Sequence, residues 1–425
     1  MPYLSETITA EGWGLSDMSQ ISDPAGAGRW LQDPVHRAGL LENAHRQLRF
    51  FDRTLRDDGG FDVMNHDGTP LPRAGQELHY TTRMVHAYVL GRAIGHPGAD
   101  RMIDAGMAFL WTRHRDAEHG GYLWSVDETG VHDGLKLAYG HAFVLLAASS
   151  AKLAGHPEAD RLMADVAEVL DRHYWDEAAG LHREEFARDW QPVSTYRGMN
   201  ANMHSAEAML AAFEATGEAH WLERAGRVLE VFTDRMPRAN GWRVPEHYTE
   251  DWQVDPDYAG DPMFRPAGTT PGHSLELARL LLQHWDLSGR PVGDVPDRAR
   301  RLVETALTDA WRVDGGLAYT LKPGGEVDIG DRYWWPVTEG IGALASLLKL
   351  EDRDRDETWY RRLWRFADAR LIDRERGGWY PELDDDGAPE GRQFRGKPDI
   401  YHALQAELYP LAPGLSRQVE GLGAL

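Results

Sequence analysis

Six side chains that can give or take a proton recur at one place along this chain. Aligning the stretches R-M-V-H-A, A-Y-G-H-A, A-N-M-H-S, T-P-G-H-S, P-V-T-E-G and D-I-Y-H-A sets His86, His141, His204, His273, Glu339 and His402 in register. An unperturbed imidazole titrates at about pH 6.5, so neutral histidine can accept and return a proton under ordinary conditions. A lone histidine near a helix start is more often a cap or a satisfied core residue. His86 and His141 have no acid at the next turn and are expected to be structural. His204 and His273 differ, because Glu207 and Glu276 follow three residues on and share their helix faces.

The densest of these places is Tyr196 to Gly217, which opens with Asn200, Asn202, His204 and Glu207 and continues as an Ala-rich apolar run ended by Gly217. That pattern reads as a helix presenting polar groups at one rim.

The elements that must hold such rims repeat. A helical pattern begins at Asp33-Pro34 and runs to about Arg56, Asp57-Asp58-Gly59-Gly60-Phe61 ends it, Asp67-Gly68 marks a hairpin turn, and a second helix spans about Glu77 to Ile94. The glycine signal returns at Gly120-Gly121-Tyr122, Ala179-Gly180-Leu181, Asn240-Gly241-Trp242, Gly315-Gly316-Leu317 and Gly377-Gly378-Trp379. Six units of roughly sixty residues result, none able to bury its apolar face alone. Two helices per unit predict an all-α chain forming an (α/α)6 barrel, a toroid of twelve helices with short β-hairpins at one end. In an open superhelix the six equivalent positions would form a line along the array. In a closed ring they converge on the axis, as a small-molecule site needs, and the ring is the expectation. The expected division is a leader over 1–32, one catalytic barrel over 33–413 and a tail over 414–425. The longest interval, Trp242 to Thr269, reads as a pocket-covering loop whose Arg265 can point inward.

Composition narrows the partners. The 425 residues carry 46 Lys and Arg against 68 Asp and Glu, a net charge of −22, which disfavours nucleic acid and anionic membranes. There is no cysteine, so disulfides, thiolate chemistry and sulfur-ligated zinc are excluded. Residues 1–30 lack a signal-peptide pattern and no apolar run is long enough to span a bilayer, giving a cytoplasmic expectation. Sixteen Trp, fifteen Tyr and nineteen His suit a sugar site, although aromatics also fill helical cores.

Other readings of the same residues stand beside this one. The paired His-x-x-Glu spacings could hold a divalent ion. Glu276 and Glu339 could serve as the two carboxylates of an (α/α)6 glycoside hydrolase, which would leave the histidines unexplained. A helical-repeat binding scaffold is a third possibility, disfavoured by convergence.

The stretches Y-R-G-M-N-A-N-M-H-S-A-E-A, F-R-P-A-G-T-T-P-G-H-S-L-E, Y-W-W-P-V-T-E-G and G-K-P-D-I-Y-H-A-L, in this order, resemble the N-acylglucosamine 2-epimerase superfamily. The resemblance runs from about Asp33 to Pro413 and is nearest to the branch holding D-mannose and sulfoquinovose isomerases. It implies an aldose–ketose isomerase working through a cis-enediol(ate), without metal or organic cofactor, on a monosaccharide. His273 and His402 become the acid–base pair, His402 moving the carbon-bound proton and His273 assisting ring opening and oxygen proton transfer. Arg83, Tyr139, Asn200, His204, Arg265, Glu276, Trp335, Glu339 and, by a weaker match, Trp379 become substrate-binding residues. Glu276 is expected to orient His273, Arg83 to stabilise enediolate charge, and Trp335 and Trp379 to stack on the sugar. A 2-epimerase shares the intermediate. A sulfonated substrate would draw on Lys397, Arg395 and Arg265, but Pro381 in W-Y-P-E offers no side-chain donor. Oligomeric state is not legible.

Overall fold

The computed structural model describes residues 28–72, 75–258, 260, 265–384 and 386–425. The helices are α1 (Pro34–Phe51), α2 (Leu78–Ala93), α3 (Ala99–Phe109), α4 (Ala138–Leu153), α5 (Ala159–Val169), α6 (Met199–Thr216), α7 (Ala219–Glu230), the single turn α8 (Met236–Ala239), α9 (Pro271–Leu287), α10 (Val295–Ala310), α11 (Trp334–Leu350), α12 (Asp354–Phe366), α13 (Tyr401–Leu408) and the short α14 (Gln418–Leu422). Local chemistry sets their ends. Asp33 caps α1 by accepting from the Val35 N–H at 2.9 Å, with Pro34 in the first turn. Gly217 ends α6 in the left-handed conformation.

Two helix populations follow from two hydrophobic patterns. On α7 the buried positions are Trp221, Ala225, Val228 and Leu229, a single stripe at helical spacing, so one face packs inward and the other meets water. On α4 every residue from Gly140 to Ala151 is buried, so that helix has protein on all sides. The second kind, α2, α4, α6, α9, α11 and α13, forms an inner ring. Each packs on the next, and α13 returns to pack on α2. The apolar core lies between this ring and the outer helices α1, α3, α5, α7, α10 and α12.

Short antiparallel pairs join the ring at the N-terminal ends of the inner helices. Gln76–Glu77 before α2 pairs with Ser125–Val126, Lys136–Leu137 before α4 pairs with Glu185–Phe186, and Arg197–Gly198 before α6 pairs with His247–Tyr248. Thr269 pairs with Leu321, and Arg332–Tyr333 before α11 pairs with Glu382–Leu383. Lys397, before α13, then pairs with Met64 of the first unit, which closes the circle. Close backbone approach there requires Gly396, whose φ is +66° and whose Cβ would lie 2.1 Å from the Met64 carbonyl oxygen. The Lys397 ammonium is buried at this seam, donating to Asp373 Oδ2 and the Gly377 carbonyl, both at 2.6 Å. The seam therefore uses the lysine that the sequence offered to a sulfonate.

Residues 414–425 lie against the opposite end of the ring, where α14 packs on α2 and Lys349 donates to the Tyr409 and Gly414 carbonyls at 2.6 and 2.9 Å. Among the described residues no helix is long and apolar enough to cross a membrane.

Candidate active site

The inner helices begin where the strand pairs hold them, so their first turns share one end of the axis. His402 is the second residue of α13, His273 the third of α9 and Trp335 the second of α11. The Trp335 ring stands between the two imidazoles, 5.0 Å from His273 and 5.9 Å from His402 by ring centroids, and tilted to both by 33° and 36°. Gly272 makes room for it, since a Cβ there would sit 2.3 Å from the indole.

Each imidazole is fixed by a carboxylate. His402 Nδ1 lies 2.8 Å from Glu339 Oε1, and His273 Nδ1 lies 3.0 Å from both oxygens of Glu246. An ionised carboxylate only accepts, so Nδ1 is the donor in both pairs, the tautomer that in a neutral ring leaves the Nε2 lone pair for chemistry. Glu246 also accepts from the Thr270 N–H at 3.1 Å, tying the arrangement to the start of α9.

Below these rings lies a buried polar floor. Arg279 Nε is 3.4 Å from Glu339 Oε2, and its Nη2 is 3.4 Å from Glu207 Oε1 and 3.7 Å from Glu276 Oε1. Glu207 also faces His204 Nδ1 at 3.2 Å and accepts from the Tyr401 hydroxyl. One guanidinium thus serves three buried glutamates. Burial works against charge on Glu207 and Glu339, but His204 and Arg279 hold the first below the usual carboxylate range, and Arg279 and His402 hold the second below it. Glu276 has neither oxygen in a hydrogen bond and is 1% exposed. Burial, and then the charges of Glu339 and Glu207, raise it well above that range, so of the three it is the one whose surroundings favour the neutral form. Burial pushes His204 down to about 4 despite Glu207, which keeps this imidazole uncharged at neutral pH.

Arg83 of α2 faces the same space. It donates from Nη1 to Asp399 Oδ2 at 2.8 Å and from Nη2 to the Tyr139 hydroxyl at 2.9 Å, and its guanidinium lies over the rings of Phe143 and Tyr401 at 4.5 and 4.7 Å. Burial disfavours its charge, but Tyr139 and Asp399 more than offset that. Its Nε is buried with no hydrogen-bond partner among the described residues. Asn200 likewise has a buried, unpartnered carbonyl oxygen, whereas Asn202 is consumed by the His182 backbone and the Gly198 carbonyl. A cleft of about 810 Å³ opens beside this region, lined by Glu77, His79, Trp124, Asp133, Phe394 and Pro398 among others. Its lining excludes His273 and His402 but reaches the site where the His79 and Trp124 rings border Tyr139.

Of the residues singled out in the sequence, the contacts draw His273, His402, Trp335, Glu339, Glu276, His204, Arg83 and Tyr139 into one connected cluster. Glu276 does not touch His273 in the way its spacing suggested. It faces His204 and Arg279, and Glu246 orients His273 in its place. Glu339, expected among the substrate-binding residues, is engaged by His402 instead. Arg265 is held by Glu185 Oε2 at 2.7 Å over the Tyr196 ring. Of the loop proposed to cover the pocket, residues 259 and 261–264 lie outside the described residues. Trp379 packs against Trp364 with its N–H toward Glu407, and these contacts do not join it to the cluster. His141 is structural, accepting from the Tyr122 N–H and donating to the Leu137 carbonyl, and His86 pairs with Ser150.

Glu246, Arg279, Asp399, Tyr401 and Gly272 were not foreseen. Arg279 stands three residues after Glu276, a spacing that was available to find it. Asp399 sits inside the same motif as His402. Glu246 is 27 residues from His273, with no periodic signal to join them.

The model of the N-acylglucosamine 2-epimerase family matches residues 59–406. The chain belongs to that family. Among its relatives, a D-mannose isomerase of Thermobifida fusca is 40% identical over 404 residues, 93% of this chain and 99% of that protein. A D-mannose isomerase of Pseudomonas cannabina pv. alisalensis is 39% identical over 407 residues, 92% of this chain and 97% of that one. A crystal structure of D-mannose isomerase superposes with a TM-score of 0.84 at 31% identity, covering 92% of this chain and 99% of that one. A GH76 α-mannanase of Bacteroides thetaiotaomicron, at 11% identity and a TM-score of 0.62 over 90% of this chain and 98% of that one, shares the fold alone. The family member described here is an (α/α)6 enzyme of the isomerase kind.

Proposed function

We propose that this enzyme interconverts D-mannose and D-fructose, and by the same route D-lyxose and D-xylulose, through a cis-enediol(ate). The observation that carries the mechanism is the pair of imidazoles on either side of Trp335, each with Nδ1 on a carboxylate and Nε2 free. In the open-chain sugar, His402 Nε2 takes the proton from C2 and returns it to C1. His273 assists ring opening and moves the proton between O1 and O2. Charge that gathers on the enediolate oxygens is met by Arg83, whose guanidinium is fixed before substrate arrives and so costs little reorganisation. Trp335 supplies the wall along which the carbon chain lies. Asn200 and the neutral Glu276 offer a carbonyl oxygen and an acid proton to hydroxyls.

Two observations favour a neutral sugar over a sulfonated one. Lys397 is closed into the seam with Asp373, and Arg265 is neutralised by Glu185. Arg395 does line the cleft with Arg56, but the acids Asp62, Asp127, Glu128 and Asp133 outnumber them there. We treat residues 33–413 as one catalytic unit acting on a free monosaccharide in the cytoplasm, a setting with which the cysteine-free composition accords. The test is a panel of neutral, N-acetylated and sulfonated sugars scored for ketose and epimer. Ketose from mannose supports the reading. Strong preference for the sulfonated sugar, or glucose as the product from mannose, defeats it.

A further inference from the structure

The first and last inner helices meet at the seam, and their functional groups are joined there by one side chain. The Asp399 side chain is 7% exposed, and its two oxygens do different things. Oδ2 accepts from Arg83 Nη1 on α2 at 2.8 Å. Oδ1 accepts from the N–H of Tyr401, the first residue of α13, at 2.5 Å, and His402 is the next residue along. The same Tyr401 lays its ring beneath the guanidinium and sends its hydroxyl to Glu207. No other acid is bonded to Arg83 among the described residues.

We propose that Asp399 is a positioning residue that sets the Arg83 donors relative to the His402 imidazole. This rests on the reading of Arg83 and His402 given above. An ionised carboxylate makes a charge-assisted bond to the guanidinium and neutralises it, and a buried guanidinium without that partner turns toward whatever acceptor remains. Among the described residues the acceptor that remains is the Tyr139 hydroxyl, so loss of Asp399 lets the donors drift toward it and away from the place where enediolate charge forms. Substrate still binds, but the transition state is less well met.

Asp399→Asn separates this role from that of a helix-start acceptor, because the amide oxygen still serves the Tyr401 N–H while the ion pair is lost. With D-mannose the expected result is a fall in kcat of about 10- to 100-fold, with KM within about threefold of wild type. In an Arg83→Lys background the same change should cost no further activity, since Asp399 acts through Arg83. Asp399→Ser, which also keeps an oxygen for Tyr401, repeats the comparison if the first variant unfolds. Wild-type kcat in Asp399→Asn, or losses that multiply in the double variant, would overturn the assignment while leaving the reaction standing. A wild-type enzyme that leaves D-mannose unchanged would overturn the functional reading, and this assignment with it.

Discussion

His402 Nδ1 and Glu339 Oε1 stand 2.8 Å apart, and they occupy the same repeat position in the last and the next-to-last units of the ring. A carboxylate has replaced the imidazole in one unit and serves the imidazole in the next. The pairing selects the His402 tautomer that leaves Nε2 basic. Glu339→Gln can present an amide N–H to Nδ1 and favour the other tautomer, so kcat for mannose should fall by about 100-fold or more, with KM little changed. Steady-state kinetics check this, and a loss below about threefold would show that Glu339 is not needed to set the tautomer.

Glu276 should behave in the opposite manner. A carboxylic acid that is already neutral is well imitated by an amide, so Glu276→Gln is expected to keep kcat within about tenfold of wild type. A loss equal to that of Glu339→Gln would mean that Glu276 works as an anion.

Gly272→Ala tests the placement of Trp335. The added Cβ meets the indole at 2.3 Å, and overpacking of this kind costs about 1–3 kcal/mol or displaces the ring. The expected outcome is a rise of about tenfold in KM for mannose with a folded protein, read from kinetics alongside near-ultraviolet circular dichroism.

Glu407 predicts a pH dependence of stability away from the site. Burial raises its carboxyl from an ordinary 4.5 to about 8, against the opposing bonds from Gln47 and Trp379. The folded protein then keeps a proton that the unfolded chain releases, so its contribution is full below about pH 4.5 and is lost as pH rises toward about 8. Thermal unfolding of Glu407→Gln should lack this part of the decline, with Tm above wild type at pH 8 and a difference that shrinks on acidification. A constant difference across the range would contradict it.

His204, Glu207 and Glu276 place ligand atoms within 4.8 Å of one another, a spacing compatible with a cation. Arg279 already brings positive charge to Glu207 and Glu276. Exhaustive chelation is therefore expected to leave activity intact. Loss restored by one added metal would contradict the assignment of His273 and His402 as free bases.

The sequence revealed most where one pattern was copied six times. Repetition of the glycine signal and of the His/Glu position made the ring and the convergence of His204, His273, Glu339 and His402 legible, and the family resemblance added Arg83. Pairings between units were not, because helical spacing describes neighbours on one helix only. Glu276 therefore looked like the partner of His273, three residues away, when Glu246 reaches His273 from the preceding loop. Trp379 entered only by the weaker family match, and its contacts are with Trp364 and the buried Glu407.

The most direct test is to incubate the purified enzyme with D-mannose in D2O and follow the products by NMR, with His402→Asn beside it. The account predicts D-fructose from the wild type and no ketose above background from the variant. Glucose as the product, an unchanged sugar, or fructose formed as fast by His402→Asn would contradict it.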